Sequence, residues 1–218
     1  CTPDASIIRS FYYCSGPDTA REGYEDDDYI RYGLYGVIPP YLFEPIYNTT
    51  SLEDVFWHFK GILPYKWATT DNTGLMYSPE LFTKLTKLKN IRGLFALNVM
   101  YNRCNISGTQ FSTNKELTNT SYLFYNTIWG TSQLGQVENT LFNNNKNITD
   151  VSYMFYTSDS YGNGRLPRVM SSDLFTPSNN PKINNCSYFM HNGQKTSGSV
   201  PEFWTWPPAT MRTTTGCY

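Results

Sequence analysis

Apolar residues return along this chain as a recurring local motif, with no sustained helical or alternating period. Five segments carry an apolar residue, Asp or Asn two positions later, an often apolar residue at three, and a large apolar residue at seven. They run from Leu52 through Asp54 and Val55 to Phe59, from Leu88 through Asn90 and Ile91 to Phe95, and from Leu117 through Asn119 and Thr120 to Phe124. Two more run from Ile148 through Asp150 and Val151 to Phe155, and from Ile183 through Asn185 and Cys186 to Met190. A sixth, degenerate copy has Ser6, Ile7 and Phe11, with Asp4 where the first apolar residue belongs.

Each copy is followed by a second half with the flavour of Gly-x-apolar-Pro and then Leu-Phe, with weaker versions that end at Leu81-Phe82, Phe111 and Leu141-Phe142. The clearest runs from Gly36 through Ile38 and Pro39 to Leu42 and Phe43. Others run from Gly164 through Pro167 to Leu174 and Phe175, and from Gly198 through Pro201 to Phe203 and Trp204. The second-half phenylalanines at 43, 82, 111, 142, 175 and 203 are spaced by 39, 29, 31, 33 and 28 residues. A period that wanders around one central value places the insertions in loops and the constancy in a repeating core.

One unit can be built from its residue types. Asp or Asn in the third position suits a helix N-cap, because its side-chain oxygen can accept from the open N–H groups of a first turn. Val151, Met154 and Phe155 then share a face at helical spacing. The expected caps are Asp54, Asn90, Asn119, Asp150 and Asn185, and the expected core positions are Phe59, Phe95, Phe124, Phe155 and Met190. A second role for the Asp/Asn column is a ladder that satisfies backbone groups between coils. The helix would be only about two turns long and marginal by itself, so neighbouring units must hold it. Pro and Gly in the second half confine that half to short extended pieces.

The expected fold class is therefore an α/β repeat solenoid of short helices, short extended segments and many loops. Its units fall at about 4–50, 51–86, 87–115, 116–146, 147–181 and 182–204, in a single domain spanning 1–218. A Trp- and Pro-rich tail over 203–218, including Trp204 and Trp206, is the expected cap of the open end. The chain opens on Cys1, and a fragment of a larger protein is expected in preference to a mature lipoprotein.

Composition narrows the function. Apolar residues make up 39% of the chain and charged residues 16%, which suits a packed core and not a charged disordered segment. No stretch approaches the roughly 18 apolar residues that span a bilayer. Basic and acidic residues number 17 and 18 and are spread along the chain, so no nucleic-acid footprint stands out. The acidic run from Glu25 to Asp28 lacks the spaced ligands and glycine of a calcium loop and reads as solvated. Five cysteines, Cys1, Cys14, Cys104, Cys186 and Cys217, lie far apart with no C-x-x-C pair. They read mostly as free, buried, small apolar side chains, and no metal site or cofactor is expected.

Segments such as Asn147 to Phe155 and Glu116 to Phe124 resemble the LTNVSYMF repeats of BspA-like leucine-rich-repeat surface proteins of Bacteroidetes and mycoplasmas. The G-x-I-P-x-x-L-F half resembles repeats in virion proteins of crAss-like Bacteroides phages. The resemblance covers nearly the whole chain. It implies a leucine-rich-repeat-like fold, display on a virion or cell surface, and contact with proteins or host glycans. It carries no catalytic residues to this chain. The insertions at 15–35 and 64–78 depart from the family and are candidate sites of individual function.

Catalytic chemistry is weakly signalled. His58 and His191 fall inside or just after a repeat segment, and Cys186 with His191 lies five apart without a third member. Gly162 to Gly164 reads as a turn, and paired carboxylates for glycoside hydrolysis would have to come from separate segments. The aromatic residues are the better candidates for contact. Tyr122, Tyr153 and Tyr188 occupy one position in three copies, with Trp57 in a fourth and Gly93 in a fifth. They form either a row on an outer face or packing between repeats, and Trp204 and Trp206 are further candidate binding aromatics.

The expected function is a non-enzymatic structural or adhesive repeat domain, with protein partners and host glycans in reach. A bacterial surface adhesin and a glycan-binding or carbohydrate-active accessory module are the alternatives. Phe155→Ala should cost on the order of 3–5 kcal/mol in denaturant unfolding. A loss below about 1 kcal/mol would remove Phe155 from the core.

Overall fold

The structure is a computed structural model describing residues 37–57, 66–67, 74–100, 104–129, 137–157, 171–190, 200–206 and 213–216. The degenerate first copy, the acidic run at 25–28, the 15–35 insertion, His58, Phe59, His191 and part of the 64–78 insertion lie outside these residues. So does the side chain of Trp204.

Six short rows lie side by side. Isolated parallel bridges join Ser51 to Asn90, Asn90 to Asn119, Asn119 to Asp150, Asp150 to Asn185, and Asn185 to Thr213. Within each row, alternate amides reach across to the next. Ile91, Gly93 and Phe95 donate to the carbonyls of Asn119, Ser121 and Leu123 at 3.0 Å each. Thr120, Tyr122 and Phe124 donate likewise to Asp150, Ser152 and Met154, and Val151, Tyr153 and Phe155 to Asn185, Ser187 and Phe189.

Where two-turn helices were expected after the Asp/Asn column, the chain makes turns. The reason is local. The residue three after the column is left-handed in every row: Asp54 (φ 54), Gly93 (φ 61), Tyr122 (φ 57), Tyr153 (φ 56), Tyr188 (φ 54) and Gly216 (φ 61). A left-handed residue ends right-handed helical propagation, and from Asp54 to Tyr188 its amide is already committed to the next row. The column side chains still act as caps of a kind, because their Oδ1 atoms accept from the amide two residues on. Those bonds reach Arg92 from Asn90 (3.0 Å), Ser121 from Asn119 (3.0 Å), Ser152 from Asp150 (2.8 Å) and Ser187 from Asn185 (3.2 Å).

The first described row corrects the sequence register by three residues. Ser51, not Asp54, stands opposite Asn90, and Phe56 is the residue beside Phe95. The apolar-x-x-apolar-Phe string from Leu52 to Phe56 matches Ile91 to Phe95 once the acidic residue is ignored. Ser51 takes over the turn, accepting from the Glu53 amide at 3.3 Å.

Two files of rings fill the interior. One runs Phe56, Phe95, Phe124, Phe155 and Phe189, with centroids 6.1, 5.8, 5.4 and 5.4 Å apart. Met190, expected in this file, is buried, but the ring that meets Phe155 is that of Phe189. The second file runs Phe43, Phe82, Phe111, Phe142, Phe175 and Phe203. Contacts such as Phe43 with Phe56 and Phe189 with Phe203 join the files. Each of these rings is at most 1% exposed. Trp206 packs on Phe203 at 5.1 Å and is itself buried.

Regular elements are few. Strand β1 (Lys66–Trp67) pairs antiparallel with β2 (Gly74–Leu75), which pairs parallel with β4 (Cys104–Asn105). Strand β3 (Val99–Met100) pairs parallel with β5 (Ile128–Trp129). Three-residue 3-10 turns lie at Glu44–Ile46, Ser172–Leu174 and Phe203–Thr205.

Buried polar side chains tie unit to unit. Asn114 Nδ2 donates to the carbonyls of Phe82 and Leu85, Asn145 Nδ2 to those of Phe111 and Asn114, and Asn180 Nδ2 to those of Phe142 and Asn145. All three residues are fully buried. Each satisfies two carbonyls that would otherwise be stranded away from water. Asn145→Leu should therefore lower the unfolding free energy by about 2–4 kcal/mol, since two buried acceptors lose their donor. A chemical-denaturation midpoint unchanged from the parent would show that this ladder carries no stability.

Candidate functional site

Two columns of rings stand on the row face, away from the phenylalanine interior. The first is the left-handed position, where Tyr122, Tyr153 and Tyr188 stack at 4.6 and 4.8 Å with interplanar angles of 10° and 23°. The second lies three residues on, where Trp57, Tyr125 and Tyr156 stack at 6.0 and 5.2 Å. Tilted contacts of 5.3 Å (Tyr122 with Tyr125) and 5.5 Å (Tyr153 with Tyr156) join the columns. All six residues are half-buried. Trp57 therefore belongs with Tyr125 and Tyr156, not with Tyr122, because the register of its row is shifted.

The second row carries no ring in either column, only Gly93 and Ala96. Their smallness makes room for the row before. A Cβ on Gly93 would overlap Asp54 Oδ1 and lie 2.8 Å from Trp57 Cε3. The indole thus leans over Gly93, and its ring stacks with that of Tyr125. At the other end a Cβ on Gly216 would lie 2.7 Å from Tyr188 Cε1. Glycines flank the tyrosine ladder on both sides because the preceding side chain leans onto them.

Electrostatics gather at the Trp57 end. Arg92 Nη1 lies 3.2 Å from Glu53 Oε1 and 3.6 Å from Asp54 Oδ1, and its guanidinium carbon sits 4.6 Å from the Tyr122 ring centroid. Asn90 Nδ2 donates to Glu53 Oε2 at 3.1 Å. Asp54, expected as a cap, is instead a buried carboxylate beside Arg92. In the centre of the ladder, burial raises the Tyr153 phenol above its ordinary pKa. The neighbouring phenols of Tyr122, Tyr188 and Tyr156 push in the same direction.

The ladder is not cheap to keep. A non-glycine residue in the left-handed region costs roughly 1–2 kcal/mol, and three tyrosines bear that cost. Each ring pair returns only about 0.5–1.5 kcal/mol beyond burial. Stacking alone does not cover that strain, and the partial burial of each ring supplies the remainder.

Cys186 is buried, with Sγ donating to the Thr213 carbonyl at 3.3 Å. Among the described residues no group of three or more His, Cys, Asp or Glu could hold a metal ion. Among them, too, no helix is long and apolar enough to cross a membrane. The buried Asn114, Asn145 and Asn180 ladder was missed in the sequence, although Phe111 and Phe142 each precede an Asn by three residues. No family model matches the chain, and neither does a curated protein or a solved structure.

Replacing Tyr153 separates the two opposing terms. Both Tyr153→Ala and Tyr153→Gly lose the ring contacts, but only glycine is relaxed at φ 56. The glycine variant should be the more stable of the two by about 1 kcal/mol in urea unfolding. Equal stability would mean that the left-handed backbone is not retained in solution.

Proposed function

We propose that the chain is a leucine-rich-repeat-like solenoid with a non-enzymatic, structural or adhesive role in a virion or cell-surface protein. The resemblance of its repeats to BspA-like surface proteins motivates the surface assignment. The observation that carries the reading is where the buried polar groups go. Asn98, Asn114, Asn145, Asn180 and Thr127 each donate to a backbone carbonyl of another unit. The interior chemistry is devoted to holding units in register, which makes a stiff body. The two ring columns then provide an outward face for protein or glycan contact.

A bacterial adhesin shares the same geometry, and flanking tail or capsid segments in the parent sequence, rather than a lipobox or sorting signal, would decide for the virion. For the contact itself, the intact chain should be screened on a glycan array and assayed for release of reducing sugar from a panel of polysaccharides. No release is expected, and any array signal should fall at least tenfold on Tyr122→Ala with Tyr153→Ala. Sugar release that disappears when a single Asp or Glu is neutralised would overturn the non-enzymatic reading in favour of a carbohydrate-active module.

A further inference from the structure

Lysines that are dispersed along the chain are gathered by the fold. Lys84, Lys87, Lys89, Lys115, Lys146 and Lys182 are all exposed. Each lies two to seven residues after a phenylalanine of the second file, in the stretch that leads to the Asn/Asp column. Glu80, Glu138, Asp173 and Glu202 lie one to four residues before such a phenylalanine, and Glu44 follows Phe43 in the unit before the first of these lysines. The buried asparagines hold the lysine-bearing stretches side by side. Asn114 bonds the Leu85 carbonyl, Asn145 that of Asn114, and Asn180 that of Asn145. On the surface, Lys182 Nζ donates to Asn147 Oδ1 at 2.6 Å, and Asn147 Nδ2 donates to the Lys115 carbonyl at 3.1 Å. The result is a basic strip across four units, about 14 Å over three steps of strand spacing.

Little cancels this charge. Glu116 is the one acid between the lysines, and its 3.7 Å pair with Lys89 leaves both side chains more than half exposed. Asp150, in the column itself, is engaged by Ser152 and Asn185. Lys84, Lys87, Lys115 and Lys146 form no ion pair among the described residues. Lys115 and Lys146 hold the same place in adjacent units, four residues before the column, where like charges repel. Thr86 and Pro181 fill that place in the flanking units, so packing does not require lysine there.

We infer that this strip binds a long anionic polysaccharide, with a carboxylate or sulfate on each repeating unit, laid across the four units. The inference rests on the reading of the chain as a non-enzymatic display body and names the chemistry of a glycan partner. The stretches 83–90, 112–119, 143–150 and 176–185 contain no aromatic residue and no arginine. Single-stranded nucleic acid is held by bases stacked on rings between the cations, and the fork of a phosphate favours arginine. Lysine point charges suit separate carboxylates or sulfates instead. Thr86, Asn144 and Asn184, exposed beside the lysines, offer donors and acceptors to sugar hydroxyls. A glycan of two or three sugars, as printed on an array, reaches one or two of these lysines, and a single exposed ion pair is worth little. A chain that spans the units engages them together, so the strip selects for length.

Fluorescence-anisotropy titrations with the full chain test this, using labelled polygalacturonate, dextran sulfate, uncharged dextran and single-stranded oligothymidylate as probes. At low salt at least one of the two charged polysaccharides should bind and uncharged dextran should not, with affinity falling steeply as salt rises. Lys115→Gln with Lys146→Gln should weaken binding about tenfold and flatten the salt dependence, because two ion contacts are gone. Glu116→Gln should tighten binding about twofold by releasing Lys89. Asp173→Asn, the same change of net charge at an exposed site outside the strip, should leave binding unchanged. A parent that binds neither charged polysaccharide at low salt overturns the proposal, and so does tighter binding of oligothymidylate than of both. Binding unmoved by the lysine pair, or moved equally by Glu116→Gln and Asp173→Asn, overturns it too. Each of these outcomes leaves the display reading standing. That reading fails separately if the chain releases reducing ends from either charged polymer.

Discussion

Everything in the described chain depends on alternate amides of each row being donated across to the next. In the row that starts at Asn119, the amides of Thr120, Tyr122 and Phe124 all leave the row. No helix can form from a segment that gives away every second N–H, so the row stays extended and turned. In return each row is locked to its neighbour at backbone spacing. That spacing lies within the centroid distances of offset rings, and it lets Phe95, Phe124 and Phe155 stand in one file while Phe82, Phe111 and Phe142 stand in another. The asparagine ladder does the same service in the second half of the units, where the chain runs in turns.

The same register produces the outer face. Once rows are fixed at this distance, any side chain repeated at one position becomes a column. At the left-handed position the column is tyrosine for three rows and glycine at either end. Gly93 yields to Asp54 and Trp57, and Gly216 yields to Tyr188. The tyrosines carry a backbone cost that their stacking and the partial burial of their rings offset. Insertion elements such as β1 and β2 attach to this frame by strand pairing onto β4 without interrupting the files.

Much of this was legible in the sequence, and the failures are specific. The second-half phenylalanines could be read as a single column because Leu-Phe after a Pro or Gly recurs with only loop-length variation. Phe95, Phe124 and Phe155 could be aligned because an Asn or Asp precedes each by five residues. The first row misled because Asp54 imitates the Asp/Asn column, while the residue that holds that place is Ser51. Helices were expected because apolar residues at i, i+3 and i+4 fit a helix face. A left-handed turn between those residues places them on one side equally well, and tyrosine at such a position gives no composition signal. The Asn114, Asn145 and Asn180 ladder was obscured by the general abundance of asparagine.

Native-state amide hydrogen exchange addresses the row-to-row bonding most directly. Within each row the amides of Gly93, Phe95, Tyr122, Phe124, Tyr153 and Phe155 should exchange slowest, near the limit set by global unfolding. The intervening Arg92, Ser121 and Ser152 amides, held only by side-chain oxygens, should exchange faster. Uniform protection of consecutive amides, as in a helix, or rapid exchange at Phe95, Phe124 and Phe155, would contradict rows bonded edge to edge.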